Sequence, residues 1–186
     1  MREILNWLLA AKEYLIDSSI ILNCSLKSSR SRISRPTSLL FGYFLENLLK
    51  AIIIKRKGLS ESESFEHVSA KLFLEAGFSI EDKFENQMVG FLSEIIKWGK
   101  YPKRKKGDSG TFLKSTSKFY ANETVFFTDS NNFNNLLQFS LKVIEYAEKI
   151  LLENVAQEDE IYFRETLERL YGLVIANSEN IKNKPK

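Results

Sequence analysis

Residues 39 to 53 carry the feature that most constrains this chain. Leu39, Leu40, Phe41, Phe44, Leu45, Leu48, Leu49, Ile52 and Ile53 cover nearly the whole circumference of a helix. A helix apolar on every side must be enclosed by others, so it predicts the central member of a bundle. Thr37 or Ser38 can cap its start, and it is expected to run to about Lys57 and stop before Gly58, a residue suited to the position after a helix end. The wider composition agrees. Three Pro and eight Gly in 186 residues are few breakers, which favours long helices over many short strands. An apolar fraction of 44% is ordinary for one globular domain of this length. Fourteen Phe and seven Tyr predict an aromatic-rich core.

Helical spacing recurs on both sides of this segment. Ile4, Leu8, Ala11, Leu15, Ser18 and Leu22 form one stripe from about Arg2 to Leu22, with Glu3, Asn6, Glu13 and Asp17 opposite. A short helix is expected from His67 to Ala76, closed by Gly77. Another follows from Ile80 to Trp98, with Phe84, Met88, Phe91, Ile95 and Trp98 as its stripe. Residues 103 to 129 have no helical period, and Phe119-Tyr120 and Val125-Phe126-Phe127 leave a small hairpin or an ordered loop as the two readings. A connection longer than ~15 residues is unusual inside a compact domain and often functional. Helical spacing returns from Asn131 to Val155, through Phe133, Leu137, Leu141, Ile144, Ala147 and Leu151. Asp159 is placed to cap a last helix to about Ala176, with Tyr162, Leu167, Leu170 and Val174 inward. The prediction is an all-α domain over residues 1–176: a five- to six-helix up-and-down bundle with a non-helical insertion around 103–129. A polar tail, 177–186, is expected to pack weakly.

The formal net charge is only +3, but its sign is segregated. Between Lys27 and Lys57 the bases include Arg30, Arg32 and Arg35, against Glu46 alone; between Lys97 and Lys118 they include Lys103, Arg104, Lys105 and Lys106, against Asp108 alone. From Glu145 to Arg169 eight acids face three bases. Cys24 is the only cysteine, which excludes an internal disulfide and points to a reducing, cytoplasmic setting. It is expected to be a buried thiol. No uninterrupted apolar run reaches the ~18 residues of a membrane span. The apolar start from Ile4 to Ala11 is broken at Lys12 and Glu13, unlike a secretory peptide.

Three stretches resemble the HEPN domain, a helical bundle of prokaryotic toxin–antitoxin, defence and nucleotidyltransferase-associated proteins. Trp7-Leu8-Leu9-Ala10-Ala11-Lys12-Glu13-Tyr14-Leu15 is similar to that family's first helix, and Phe44 to Ile54, ending in Lys57-Gly58, to its second. His67, Leu72, Gly77 and Lys100-Tyr101-Pro102 echo its later part, so the resemblance covers residues 4 to 102. It implies a HEPN-like bundle that dimerises. Active HEPN ribonucleases carry an Arg followed, roughly four to six intervening residues later, by a His, the His moving protons and the Arg steadying phosphate charge. Here the only His is His67, and the nearest upstream Arg, Arg56, is eleven positions away. The resemblance therefore implies a chain without the family's nuclease motif.

The candidate residues each have a plain alternative. His67 is a weak catalytic candidate and more simply a hydrogen-bonding residue at a helix start. One His without a Cys partner makes a poor metal site, and neither a metal nor an organic cofactor is expected. Glu46 and Lys50, one turn apart, either form an ion pair that fixes helix register or help line a phosphate-binding groove. The clusters Lys103, Arg104, Lys105, Lys106 and Arg30, Arg32, Arg35 are the strongest lead. Clustered cations attract backbone phosphates, and Phe112, Phe119 or Tyr120 can stack on unpaired bases; otherwise these are solvated segments. The expectation is a non-catalytic protein that binds RNA or a nucleotide-bearing partner as a homodimer. The alternative is a protein-interaction subunit, and a divergent ribonuclease is third.

Overall fold

The computed structural model describes residues 2–27, 33–58, 68–100 and 129–183, all-helical in class. Among the described residues there are six helices: α1 (Arg2–Lys27), α2 (Arg35–Lys57), α3 (Ala70–Ala76), α4 (Lys83–Lys100), α5 (Ser130–Leu151) and α6 (Gln157–Lys182). Helix α2 is the hub, packing against α1, α3, α4 and α5, while α6 closes over α1 and α5. Phe41, Phe44, Leu45, Leu48, Leu49, Ile52 and Ile53 are all fully buried. Length and hydropathy would let Pro36–Lys57 cross a membrane, but 78% of its most apolar 18-residue window is buried inside the protein, which is enough to account for its apolarity.

Specific contacts fix the directions. Along α1 and α2, Trp7 meets Lys50, the Tyr14 and Tyr43 rings lie 5.2 Å apart, and Ser18 Oγ donates to the Thr37 carbonyl at 2.9 Å, so the pair is antiparallel. Phe41 and Phe133 stack edge-on at 5.5 Å, and Arg56 Nη1 donates to the Tyr146 hydroxyl at 3.0 Å, so α5 runs parallel to α2. A Cβ on Gly42 would lie 2.7 Å from Ile96 Cδ1, which brings the last turns of α4 beside the first turns of α2. Asn134 pairs with Ser178 and Glu148 with Arg164, so α6 is antiparallel to α5. Successive long helices therefore reverse direction.

The expected stripe of α1 is buried from Ile4 to Leu22, and Glu3, Asn6, Glu13 and Asp17 are exposed. Several boundaries differ from expectation. Helix α1 continues to Lys27, and Cys24 is exposed rather than buried. Helix α2 starts at Arg35 with Ser34 as its cap residue. Pro36 sits in the first turn, where its fixed φ and missing N–H cost nothing, and Thr37 and Ser38 lie buried inside the helix. Helix α3 starts at Ala70, with the Ser69 hydroxyl accepting from Leu72 N. It ends on Gly77 at φ 79, with Gly77 N and Phe78 N donating to the Leu74 and Phe73 carbonyls, a left-handed closure that suits glycine.

Helix α4 begins only at Lys83, because Asp82 Oδ1 accepts from Glu85 N and Glu85 Oε2 accepts from Glu81 N, an arrangement like a capping box. Glu85 is thereby turned inward, where Oε1 takes a 2.8 Å bond from Lys142 Nζ, while Phe84 is left exposed and Phe91 half-buried. The side chain of Trp98 lies outside the described set. Helix α5 ends at Leu151, capped at its start by Asp129, whose Oδ1 accepts from Asn131 N and Asn132 N.

The last helix differs most. It starts at Gln157, two residues before Asp159, and runs to Lys182. Tyr162 points outward at 59% exposure and Phe163 takes the inward place. Past Ala176 the chain does not loosen: Asn177, Ser178 and Ile181 are buried. Asn177 Nδ2 donates to Ser19 Oγ at 2.8 Å, Ser178 Oγ to Asn134 Oδ1 at 2.6 Å, and Asn180 Nδ2 to Asn23 Oδ1 at 3.0 Å. Polar residues there serve as ties between helices, because each finds a partner.

Candidate binding surfaces

Glu46 and Lys50 are enclosed at the α1–α2 seam. Lys50 Nζ lies 2.8 Å from Glu46 Oε1, with side chains 10% and 7% exposed, and 4.9 Å from the centroid of the Trp7 ring. The ammonium is therefore held between a carboxylate and an aromatic face. Burial first, then the Glu46 charge and Tyr14, hold the Tyr43 hydroxyl above the ordinary tyrosine pKa. Packed this way, the pair ties α2 to α1.

Lys103, Arg104, Lys105, Lys106, Arg30, Arg32 and His67 lie outside the described residues, as do Phe112, Phe119, Tyr120 and the expected hairpin; Arg35 is the first residue of α2. The described ends that flank the two cation-rich segments are informative. Lys27 ends α1 and Ile33 precedes α2, and the Ser18–Thr37 bond brings these ends together. The Gly42–Ile96 contact sets the end of α4, and the Phe41–Phe133 contact sets the start of α5, beside the same turns of α2. All four ends that bound residues 28–32 and 101–128 thus share one end of the bundle. Sequence spacing could not reveal this, because it depends on helix direction.

The opposite end is held by Arg56, whose Nη1 donates to the Ala76 carbonyl at 2.9 Å and to the Tyr146 hydroxyl. Tyr146 in turn donates to the Gly77 carbonyl at 2.8 Å, and Phe78 stacks edge-on against its ring at 5.4 Å. Lys57 pairs with Glu75, and that hydrogen bond is the main cause of a Glu75 pKa below the ordinary carboxylate range. Lys55, Ile150, Glu153 and Asn154 complete a cleft of about 370 Å³ beside Arg56 and Tyr146. Arg56 here satisfies the Ala76 carbonyl at the end of α3, a structural task.

A separate groove of about 380 Å³ runs between α5 and α6. Ile144, Leu167 and Tyr171 are its apolar lining, Glu145, Glu148 and Glu168 its acidic lining, and Gly172 completes it. Glu148 Oε1 lies 3.4 Å from Arg164 Nη1, and Arg164 Nη2 lies 2.8 Å from Glu160 Oε1. Glu145 and Glu168 make no ion pair among the described residues. The acidic excess from Glu145 to Arg169 was legible as composition; that two helices fold it around an apolar floor was not. Gly172, a glycine inside a helix where a Cβ would meet nothing within 4 Å, is the one residue that could have marked the place.

Among the described residues no three His, Cys, Asp or Glu side chains gather as a metal ligand set. Compared with known proteins, the chain matches no family model, no curated protein and no solved structure.

Proposed function

We propose that this chain is a HEPN-like, non-catalytic, cytoplasmic protein that binds RNA or a nucleotide-bearing partner through its cation-rich segments and acts as a homodimer. Lys103, Arg104, Lys105 and Lys106 make the phosphate contacts, with Arg30, Arg32 and Arg35 as a second set. The observation that supports this most is the shared end of the bundle from which both segments leave. Cations from two distant parts of the sequence then act on one ligand, and phosphate neutralisation grows with each added contact. The sequence lacks the Arg and His spacing of the family nucleases, and the Glu46–Lys50 pair is spent on the α1–α2 seam. The first favours binding over cleavage, and the second leaves the phosphate contacts to the cation-rich segments. The α5–α6 groove favours the second reading, a protein-interaction subunit.

Fluorescence anisotropy of a mixed single-stranded RNA pool at low and moderate salt tests the proposal, with a gel to follow cleavage. Binding is expected to weaken as salt rises, without cleavage. Replacing Lys103, Arg104, Lys105 and Lys106 together by Ala lowers the log–log salt slope by about 3, at ~0.7 per phosphate contact on a single strand, and leaves the melting temperature unchanged. Equal affinity in that variant removes the site assignment. No binding at either salt leaves the protein-interaction reading, and cleavage abolished by His67→Ala reinstates the enzyme.

A further inference from the structure

We infer that the α5–α6 groove is the docking site for a basic amphipathic helix of a partner protein. Glu168, which lines the groove, also lines a smaller hollow of about 260 Å³ with Gln157, Glu160, Ile161, Arg164 and Glu165, so the two are continuous along α6. From Gln157 to Gly172 the lining covers about 15 residues of α6, or ~22 Å at the helical rise. Helices α5 and α6 are antiparallel neighbours, and a third helix lies along the furrow between two others by ridge-and-groove packing. A partner helix of about four turns matches the length. Such docking is independent of RNA binding and rests on the protein-interaction reading, to which it gives a partner class.

The lining sets the partner's chemistry. Glu145, Glu148, Glu160, Glu165 and Glu168 stand against one cation, Arg164. Arg164 engages Glu148 and Glu160, while Glu145, Glu165 and Glu168 are exposed and make no ion pair among the described residues. Among these acids Ile161 is 55% and Tyr171 37% exposed, large apolar side chains left in water. An apolar stripe on a partner helix removes them from water. Lys or Arg flanking that stripe brings its charged head to the acids while its apolar stem covers the Tyr171 ring. A purely polar polycation would leave Ile161 and Tyr171 in water, and a purely apolar helix would strip water from unpaired carboxylates. Gly172 lines the same groove, and a Cβ there would meet nothing within 4 Å. A glycine inside a helix is unfavourable, so one without an internal packing role fits a place where another chain comes close. A second copy is a poor occupant: in its run Lys55-Arg56-Lys57, Arg56 is bound to Ala76 and Tyr146, and Lys57 to Glu75.

Fluorescence anisotropy of a labelled Leu–Lys peptide of about 15 residues, titrated with the full chain, tests the docking; its Leu residues share one helical face. Binding is expected at low salt and weakens as salt rises. A peptide of the same composition with Leu scattered round the helix is expected to bind about ten-fold more weakly. Glu145→Gln, Glu165→Gln and Glu168→Gln combined are expected to weaken the first peptide by a similar factor, as is Gly172→Gln, which fills the groove. Glu3→Gln, Glu13→Gln and Asp17→Asn on exposed α1 positions remove the same charge elsewhere and leave affinity within about two-fold. All these variants keep the wild-type melting temperature. Equal affinity for the two peptides, or an equal loss in the α1 variant, would show general attraction between opposite charges and overturn the docking, as would no binding at low salt. Selective binding of the first peptide that survives the groove substitutions keeps the protein-interaction reading and overturns this site. A wild-type dimer in sedimentation that dissociates in the groove variants assigns the groove to a second copy and also overturns it. RNA affinity in the groove variants is expected to match the wild type; peptide binding without RNA binding removes the RNA reading and leaves the docking standing.

Discussion

Two ion pairs of the same pattern sit in opposite surroundings. Glu46–Lys50 in α2 and Glu160–Arg164 in α6 both place a carboxylate one helical turn before a cation, and both close to 2.8 Å. The side chains of the first pair are 7% and 10% exposed and those of the second 39% and 46%. In water the second pair gains little, because solvent screens it and ordering two long side chains costs entropy. The first has given up its hydration, so each member depends on the other and on the Trp7 face. Spacing therefore says that a pair forms, and burial says what depends on it.

The largest expected effect lies at the buried pair. Lys50→Met should cost about 3–5 kcal/mol in urea unfolding, because a buried carboxylate loses its cation. Glu46→Leu combined with Lys50→Met should recover most of that loss, since replacing both charges by apolar groups is often neutral. A single variant as stable as the wild type would show the pair to be far better hydrated than its burial implies.

An intermediate effect is expected where α6 meets α1. Asn177→Ala removes the 2.8 Å bond to Ser19 in a place only 2% exposed, and a loss of about 1–3 kcal/mol follows from the buried polar contact. If residues from Asn177 onward were a loose tail, the same substitution would be silent, so thermal unfolding distinguishes the two. The smallest effect belongs to the exposed pair. Arg164→Ala should leave the melting temperature essentially unchanged at moderate salt; a marked drop would mean that α6 relies on its surface charges.

Much of the bundle was legible because period and burial are coupled in α1 and α2. The α1 stripe from Ile4 to Leu22 is buried as its spacing requires, and Gly58 and Gly77 follow helix ends where their conformational freedom is used. The errors have particular causes. Phe84 was expected inside, but a cap at Asp82 turned Glu85 inward and Lys142, on a different helix, made that tolerable. Tyr162 and Phe163 are adjacent aromatics, so spacing alone favours neither, and Phe163 won. Asn177 and Ser178 look like solvent residues until Ser19 and Asn134 are brought to them. The candidate site was legible only as charge: residues 103–106 and the acidic stretch could be named, but not which end of the bundle anchors one or what floor underlies the other.

The sequence by itself determined an all-α class organised around one apolar helix, with the charges separated into basic and acidic stretches. Those properties follow from side-chain chemistry repeating at the helical period, which needs no knowledge of neighbours. Tertiary structure alone decided that the chain ends bounding both cation-rich segments meet at one end, that Glu46 and Lys50 are sealed against Trp7, and that an acidic groove opens between α5 and α6. Each of these depends on how whole helices are directed and paired. Helix direction and pairing are set by packing summed over the entire core, and no local pattern encodes that sum.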